Sequence, residues 1–138
     1  MHKSAMKHGM FSWNELLTSD LESAKEFYGK LLGWTFKESE TIYGDTYLTA
    51  FNGDTMAGGM MIKPDDTPES VTSCWDTYIT VDDVDTSSRE VEKLGGKVIL
   101  PPTEISGVGR FCVIQDTQGA YLNLITYEKK VSEKYSKS

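Results

Sequence analysis

The stretch TSDLESAKEFYGKLLGW at residues 18–34 recurs in outline 63 residues further along the chain, as VDDVDTSSREVEKLGGK at residues 81–97. The offset aligns an acidic, an apolar and a glycine position: Asp20 with Asp83, Leu31 with Leu94, and Gly33 with Gly96. A repeat of this length indicates two copies of one supersecondary unit, neither of which buries its apolar face alone. We therefore expect the copies to share a core and a ligand to bind between them.

Each copy carries signals that open and end an amphipathic helix. In the first copy, Ser19 and Glu22 have the S-x-x-E spacing of a capping box, apolar residues then recur at helical spacing, and Gly33 is placed to end the helix. In the second copy, the acidic run 82–85 opens a helix that the glycine pair 95–96 ends. The pattern predicts one helix per copy.

Strand signals surround each helix. Alternating or apolar-rich stretches bounded by turn residues predict four strands in each copy. They are Phe11–Leu17, Trp34–Lys37, Thr46–Phe51 and Thr55–Ile62 in the first copy, and Trp75–Val81, Lys97–Leu100, Arg110–Ile114 and Ala120–Tyr127 in the second. Each copy is thus predicted to be a βαβββ module, and the fold class is α+β.

The length of the chain limits the number of domains. A chain of 138 residues fits one ordinary domain, so both modules are expected to belong to it. The predicted organisation is an N-terminal tail at 1–9, a first module at 10–62, a linker at 63–74, a second module at 75–127 and a C-terminal tail at 128–138.

Composition narrows the classes of partner. Acidic residues outnumber basic ones by 21 to 14, and a net charge of −7 has the wrong sign for binding nucleic acid. The apolar runs fall far short of the ~20 residues that span a bilayer, and no apolar segment follows the basic start of the chain. Cys74 and Cys112 form no C-x-x-C motif and no disulfide framework. We expect a cytoplasmic protein with both thiols reduced and no membrane or nucleic-acid partner.

The order of the short motifs resembles a known family. The first module carries T-S-D-L-x-x-A-x-x-F-Y-x-x-L-L-G-W, and the second carries V-D-D-V-D, L-G-G-K-V, P-P, G-V-G-R-F and D-x-Q-G-A in sequence. This arrangement over residues 10–127 resembles the vicinal oxygen chelate superfamily, which includes lactoylglutathione lyase, bleomycin-resistance proteins and extradiol dioxygenases. The resemblance implies tandem βαβββ modules in one half-open, barrel-like mixed β-sheet with flanking helices.

The resemblance also implies a divalent metal held by the first and last strand of each module. The matching positions are Trp13, Met60, Asp76 and Asn123. Indole has no free lone pair, thioether suits soft ions and an amide offers a neutral carbonyl, so this donor set is poor for the usual metals. The two histidines, His2 and His8, lie in the N-terminal tail. We expect no metal ligands and no cofactor, with a divalent ion as the disfavoured alternative.

Two carboxylates are the candidate catalytic residues. Glu15 lies two residues after Trp13 and so projects from the same strand face, where Asp76 is also expected. Such a pair could hold a hard cation or act as general base beside a carbonyl. The alternative is a buried Glu15 satisfied by backbone or water, or a Glu15 at a wet rim.

The remaining candidates are ligand-binding residues. The inward-facing positions are Trp13, Met60, Tyr78, Tyr121 and Asn123, and their aromatic members suit an organic ligand held by stacking or cation–π contact. The alternative is that these aromatic residues only fill the core. Gly58-Gly59 are expected to leave room in the first module. Arg110 either meets an anionic substrate group or pairs with a surface acid.

Two functions follow as hypotheses. The first is a glyoxalase/bleomycin-resistance-like protein that binds a small organic molecule in an aromatic and acidic cavity without a His/Glu metal site. The second is a lyase, isomerase or dioxygenase that uses Glu15 and Asp76 in an atypical metal or acid–base site. A homodimer is compatible with either hypothesis.

Overall fold

The computed structural model describes residues 3–41, 43–65, 67, 70 and 72–136. His2 in the predicted N-terminal tail, and Asp66 and Pro68 in the predicted linker, lie outside the described residues. A short 3-10 helix at Lys3–Met6 precedes the regular elements. In chain order these are β1 (Phe11–Thr18), α1 (Leu21–Leu32), β2 (Thr35–Glu40), β3 (Thr46–Asn52), β4 (Thr55–Ile62), β5 (Cys74–Thr80), α2 (Val84–Lys93), β6 (Lys97–Ile105), β7 (Gly109–Gln115), β8 (Tyr121–Tyr127) and α3 (Lys129–Ser136).

The two predicted helices begin and end where their capping signals stand, with one correction. The N-cap of α1 is Asp20 rather than Ser19, and its carboxylate accepts from the backbone N–H of Ser23. Gly33 ends α1 with a left-handed φ of 73°, a conformation that favours glycine. The predicted C-terminal tail contains the helix α3.

The strands form a mixed sheet in the order β2-β3-β4-β1-β5-β8-β7-β6, which leaves β2 and β6 at its ends. The β1–β4 and β5–β8 pairs are parallel, whereas the β2–β3, β3–β4, β6–β7 and β7–β8 pairs are antiparallel. The α+β class and the tandem βαβββ order are therefore confirmed. No helix in the described part of the chain is long and apolar enough to cross a membrane.

The chain divides into two compact units whose boundaries lie within β1 and β5. One consists of residues 14–76, here the 14–76 unit, and the other of residues 1–13 with 77–138, here the 77–138 unit. Each unit has a core beneath its own helix. In the 14–76 unit the buried core residues are Leu16, Leu21, Leu48 and Met60, and in the 77–138 unit they are Val81, Val84, Val91, Cys112, Ile114 and Leu124.

Candidate functional site

The sheet of the 14–76 unit presents one face to α1 and the other face away from it. Leu16 and Met60 are register partners, and both pack in the core with Leu21 of α1. Because side chains alternate along a strand, the neighbouring partners Glu15 and Gly59 belong to the opposite face. The predicted catalytic carboxylate Glu15 is half-buried there.

Glu15 has a hydrogen-bond partner that the sequence reasoning missed. The hydroxyl of Tyr47, on β3, donates to Oε2 of Glu15 at 2.8 Å. The alternation of β3 could have indicated this, since Leu48 faces α1 and its neighbour Tyr47 therefore projects from the face of Glu15. The pair joins a carboxylate to an aromatic hydroxyl on one half-buried surface.

The glycine pair of β4 does not leave the open space that was expected. A Cβ atom on Gly59 would collide with the hydroxyl of Tyr47, so the phenol already occupies that space. A Cβ atom on Gly58 would lie 2.8 Å from the backbone oxygen of Asn14 on β1. The two glycines thus allow two different close approaches, by a side chain at Gly59 and by a neighbouring strand at Gly58.

Met60 lies on the other face from Glu15, contrary to its predicted inward position. Its side chain is fully buried in the core under α1. The registers explain the difference, because Glu15 opposes Gly59 on β4 while Tyr78 opposes Asn123 on β8. Glu15 and Tyr78 are 63 residues apart, but Gly59 and Asn123 are 64 apart. Gly59 is therefore the structural equivalent of Asn123, and a one-residue slip moves Met60 to the opposite face.

Asp76 projects from the same face of the 14–76 unit as Glu15. Its neighbour Trp75 contacts Tyr28 of α1, so alternation along β5 directs Asp76 and Cys74 away from that helix. Burial of the Cys74 thiol raises its pKa, and the negative charge of Asp76 raises it further. The positive charge of Lys63 lowers it. The net rise keeps Cys74 a neutral thiol rather than a nucleophilic thiolate.

An aromatic cluster lies on the α1 side of the same unit. Tyr28 stacks on Trp34 at a centroid distance of 5.8 Å, and Trp75 meets both rings edge-on at 5.5 and 6.3 Å. The indole N–H of Trp75 donates to the hydroxyl of Tyr28 at 3.2 Å. These rings therefore support the helix face and do not line the face of Glu15.

In the 77–138 unit, Tyr78 and Asn123 share the sheet face opposite α2. They are register partners, and the neighbouring Leu124 packs beneath α2. Asn123 is only 3% exposed, and Tyr78 contacts the ring of Phe111 at 6.3 Å. Tyr121, two residues before Asn123, is 53% exposed.

The first strand contributes two further residues to the 77–138 unit. Trp13 is half-buried and lies two residues before Glu15 on β1. Its neighbour Ser12 accepts a hydrogen bond of 2.8 Å from the hydroxyl of Tyr127, a partly buried polar contact that the sequence reasoning missed.

Arg110 lies on the α2 side of its unit and is paired with acids. Its Nε and a terminal nitrogen donate to the two carboxylate oxygens of Asp85 at 2.8 and 2.9 Å, and Glu104 lies 3.6 Å away. Hydrogen bonding from Arg110 lowers the pKa of Asp85. Of the two predicted roles, the structure shows pairing with a surface acid.

The residues at the four positions that the resemblance implies for a metal are a poor set of donors. Met60 is a core side chain, and Gly59, the structural equivalent of Asn123, has no side-chain donor atom. Among the residues that the structure describes, no group of three or more His, Cys, Asp or Glu side chains could hold an ion. His8 instead accepts a hydrogen bond of 2.9 Å from the backbone of Asp82.

Comparison with known proteins finds a matching family model and several similar named proteins. Residues 9–124 match the model of the Glyoxalase/Bleomycin resistance protein/Dioxygenase superfamily. The chain is 37% identical over 117 residues to the candidate glyoxylase CFP32 of Mycobacterium bovis, covering 85% of this chain and 44% of that protein. It is 28% identical over 123 residues to the anthracycline biosynthesis protein DnrV of Streptomyces peucetius, covering 81% and 45%.

A solved structure shares the fold. Methylmalonyl-CoA epimerase from Mycobacterium tuberculosis superposes with a TM-score of 0.64 at 16% identity, over 96% of this chain and 97% of that one. The chain spans less than half the length of the two curated relatives described above.

Proposed function

We propose that this chain, which belongs to the Glyoxalase/Bleomycin resistance protein/Dioxygenase superfamily, binds a small organic molecule. The binding groups are acidic and aromatic side chains. The ligand class that fits these groups best has an apolar or aromatic body and a cationic or hydrogen-bond-donating group. Carboxylates accept from such a group, and aromatic rings pack against the body.

The observation that carries this proposal is the hydrogen-bonded pair of Glu15 and Tyr47. It lies on the half-buried sheet face away from α1, and Asp76 projects from that same face. Two carboxylates on one face favour a cation over an anion. Considered by itself, the 77–138 unit offers Trp13, Tyr78 and Tyr121 as proposed aromatic contacts and Asn123 as a proposed polar contact.

The proposed binding is independent of a metal. The positions that would supply ligands hold an indole, a thioether, one carboxylate and an amide. This set has no imidazole and only one carboxylate, whereas divalent ions are held by several such groups. Dialysis against zinc, nickel, manganese or iron, followed by elemental analysis, is expected to leave far less than one ion per chain. Near-stoichiometric retention would contradict the proposal.

The test of binding uses three probes of matched size that differ in charge: benzylammonium, benzyl alcohol and benzoate. Tryptophan fluorescence should report the tightest binding for benzylammonium and the weakest for benzoate. Glu15→Gln and Asp76→Asn should each weaken benzylammonium binding by about tenfold, because a charge-assisted contact is lost. Equal affinity for all three probes would overturn the proposal.

A second candidate function is acid–base catalysis of the lyase or isomerase kind. The observation that favours it is the same pair, since a carboxylate held by an aromatic hydroxyl is an arrangement that could remove a proton beside a carbonyl. A lactoylglutathione lyase assay of the wild-type protein and of Glu15→Gln tests it. Turnover that falls by about 100-fold or more in the variant would favour the enzyme.

We propose a cytoplasmic protein that forms a homodimer and binds neither membrane nor nucleic acid. The acidic composition and the two cysteines without a disulfide framework support the compartment and the absence of a nucleic-acid partner. Light scattering coupled to size exclusion should give twice the 15.4 kDa chain mass, and a single chain mass would contradict the dimer.

A further inference from the structure

The contact between Tyr47 and Glu15 joins residues that are 32 positions apart in sequence. The hydroxyl of Tyr47 donates to Oε2 of Glu15 at 2.8 Å in a partly buried environment. Glu15 opposes Gly59 on β4, whereas Tyr47 opposes Met61, two residues further along the same strand. The phenol therefore crosses β4 diagonally, over Gly59, to reach the carboxylate.

Gly59 makes this crossing possible. A Cβ atom at this position would collide with both the hydroxyl oxygen and the ring of Tyr47. Gly59 is not among the glycines with a left-handed backbone, so space rather than backbone conformation requires glycine here. Tyr47, Gly59 and Glu15 thus form one arrangement of three residues, the Tyr47–Gly59–Glu15 arrangement.

We propose that Tyr47 is a positioning residue that holds the Glu15 carboxylate as the acceptor for the cationic or donor group of the ligand. This inference rests on the proposed function. A free glutamate samples several rotamers, and a ligand that immobilises it must offset the lost side-chain entropy. A carboxylate that Tyr47 already orients is organised before the ligand arrives. Tyr47 therefore raises affinity for the ligand without contacting it.

The first experiment compares two tyrosine variants of the 14–76 unit. Tyr47→Phe removes the hydroxyl that donates to Glu15, whereas Tyr28→Phe removes a hydroxyl that accepts from Trp75 on the α1 side. Tyr47→Phe should weaken benzylammonium binding by about tenfold, and Tyr28→Phe should leave it within about twofold. An unchanged affinity in Tyr47→Phe would overturn the proposal.

The second experiment measures the side chain of Glu15 in the free protein. Three-bond NMR couplings should report one rotamer in the wild type and in Tyr28→Phe, and averaged rotamers in Tyr47→Phe. Gly59→Ala should reproduce the averaging, because the added methyl group displaces the phenol. A single rotamer in Tyr47→Phe would overturn the proposal even if Gly59→Ala fails to fold.

The two readouts separate the inference from the function on which it rests. If benzylammonium does not bind the wild-type protein, the proposed function fails. The coupling measurement needs no ligand, so it still decides whether Tyr47 positions Glu15.

Discussion

The two units place the same three positions on the sheet face away from their helices but fill them with different chemistry. In the 14–76 unit a residue of β1 contacts a residue of β3 above a residue of β4. In the 77–138 unit the register places residues of β5, β7 and β8 at the equivalent positions. The positions hold Glu15, Tyr47 and Gly59 in one unit and Tyr78, Phe111 and Asn123 in the other.

This difference separates packing from chemistry. The pair of Tyr78 and Phe111 is a ring contact at 6.3 Å, an ordinary way to complete an apolar face. The pair of Glu15 and Tyr47 is a hydrogen bond between a carboxylate and a hydroxyl, which gives no comparable gain in apolar burial. A duplicated backbone thus carries one pair that suits stability and one that suits recognition.

The largest expected effect tests which face of β4 belongs to the core. Met60→Ala should lower the free energy of unfolding by about 2–5 kcal/mol, because Met60 is fully buried under α1. Met61→Ala is the matched control on the opposite face, where the side chain is only half-buried. Urea denaturation measures both variants. A larger loss for Met61→Ala would reverse our assignment of the two faces.

The second largest expected loss of stability comes from making the two units alike at residue 59 of β4. Gly59→Asn installs the residue that Asn123 supplies in the other unit, but Tyr47 already occupies the space. Overpacking should cost about 1–3 kcal/mol of unfolding free energy. Truncating the phenol with Tyr47→Ala in the same chain should recover part of that loss, as chemical denaturation would show. Additive losses in the double variant would mean that the two residues do not compete for space.

The third expected effect is a pH-dependent loss of stability when the ion pair of Arg110 and Asp85 is removed. The folded-state pKa of Asp85 is lowered, chiefly by hydrogen bonding from Arg110. Its stabilisation is therefore present above the unfolded pKa of about 3.9 and is lost as pH falls through the lower folded value. Arg110→Leu should be less stable than wild type at pH 6, with the difference shrinking below about pH 4.

The control for this prediction is Lys93→Leu, which removes a positive charge from an exposed i,i+3 pair on the same helix. Its thermal denaturation profile should follow that of the wild type across the pH range, since exposed pairs contribute little. A difference between Arg110→Leu and wild type that persists unchanged at pH 2 would show that the ion pair is not its source.

Much of the fold was predictable because the repeat fixes the order of elements. The capping residues, the glycine that ends α1 and the turn signals are local, so the helix and strand bounds are confirmed to within a few residues for most elements. The full length of β6 was not predicted. The expected strand was Lys97–Leu100, whereas β6 continues to Ile105. Residues 101–102 are prolines, which lower strand propensity, and β6 tolerates them at the edge of the sheet.

The site was predictable only in part. The 63-residue offset holds only up to the point where the second module contains one additional residue. Gly33 and Gly96 are 63 apart, whereas Tyr47 and Phe111, equivalent by register, are 64 apart. The extra residue therefore lies between Gly96 and Phe111, the segment in which β6 shows register shifts. Glu15 and Asp76 both precede the insertion, so the offset describes their positions without this error.

The smallest expected effect compares the two helices at one position. Gly29 of α1 aligns with Glu92 of α2 under the 63-residue offset, so α1 alone carries a glycine in its interior. A Cβ atom on Gly29 would make only ordinary contacts, the nearest being 3.5 Å to the ring of Phe36 and to the backbone oxygen of Trp34. Gly29→Ala should therefore raise the unfolding free energy by about 0.5–1 kcal/mol, because alanine loses less conformational entropy. Calorimetry would show a small upward shift in Tm, and a downward shift would mean that α1 needs the close approach that glycine permits.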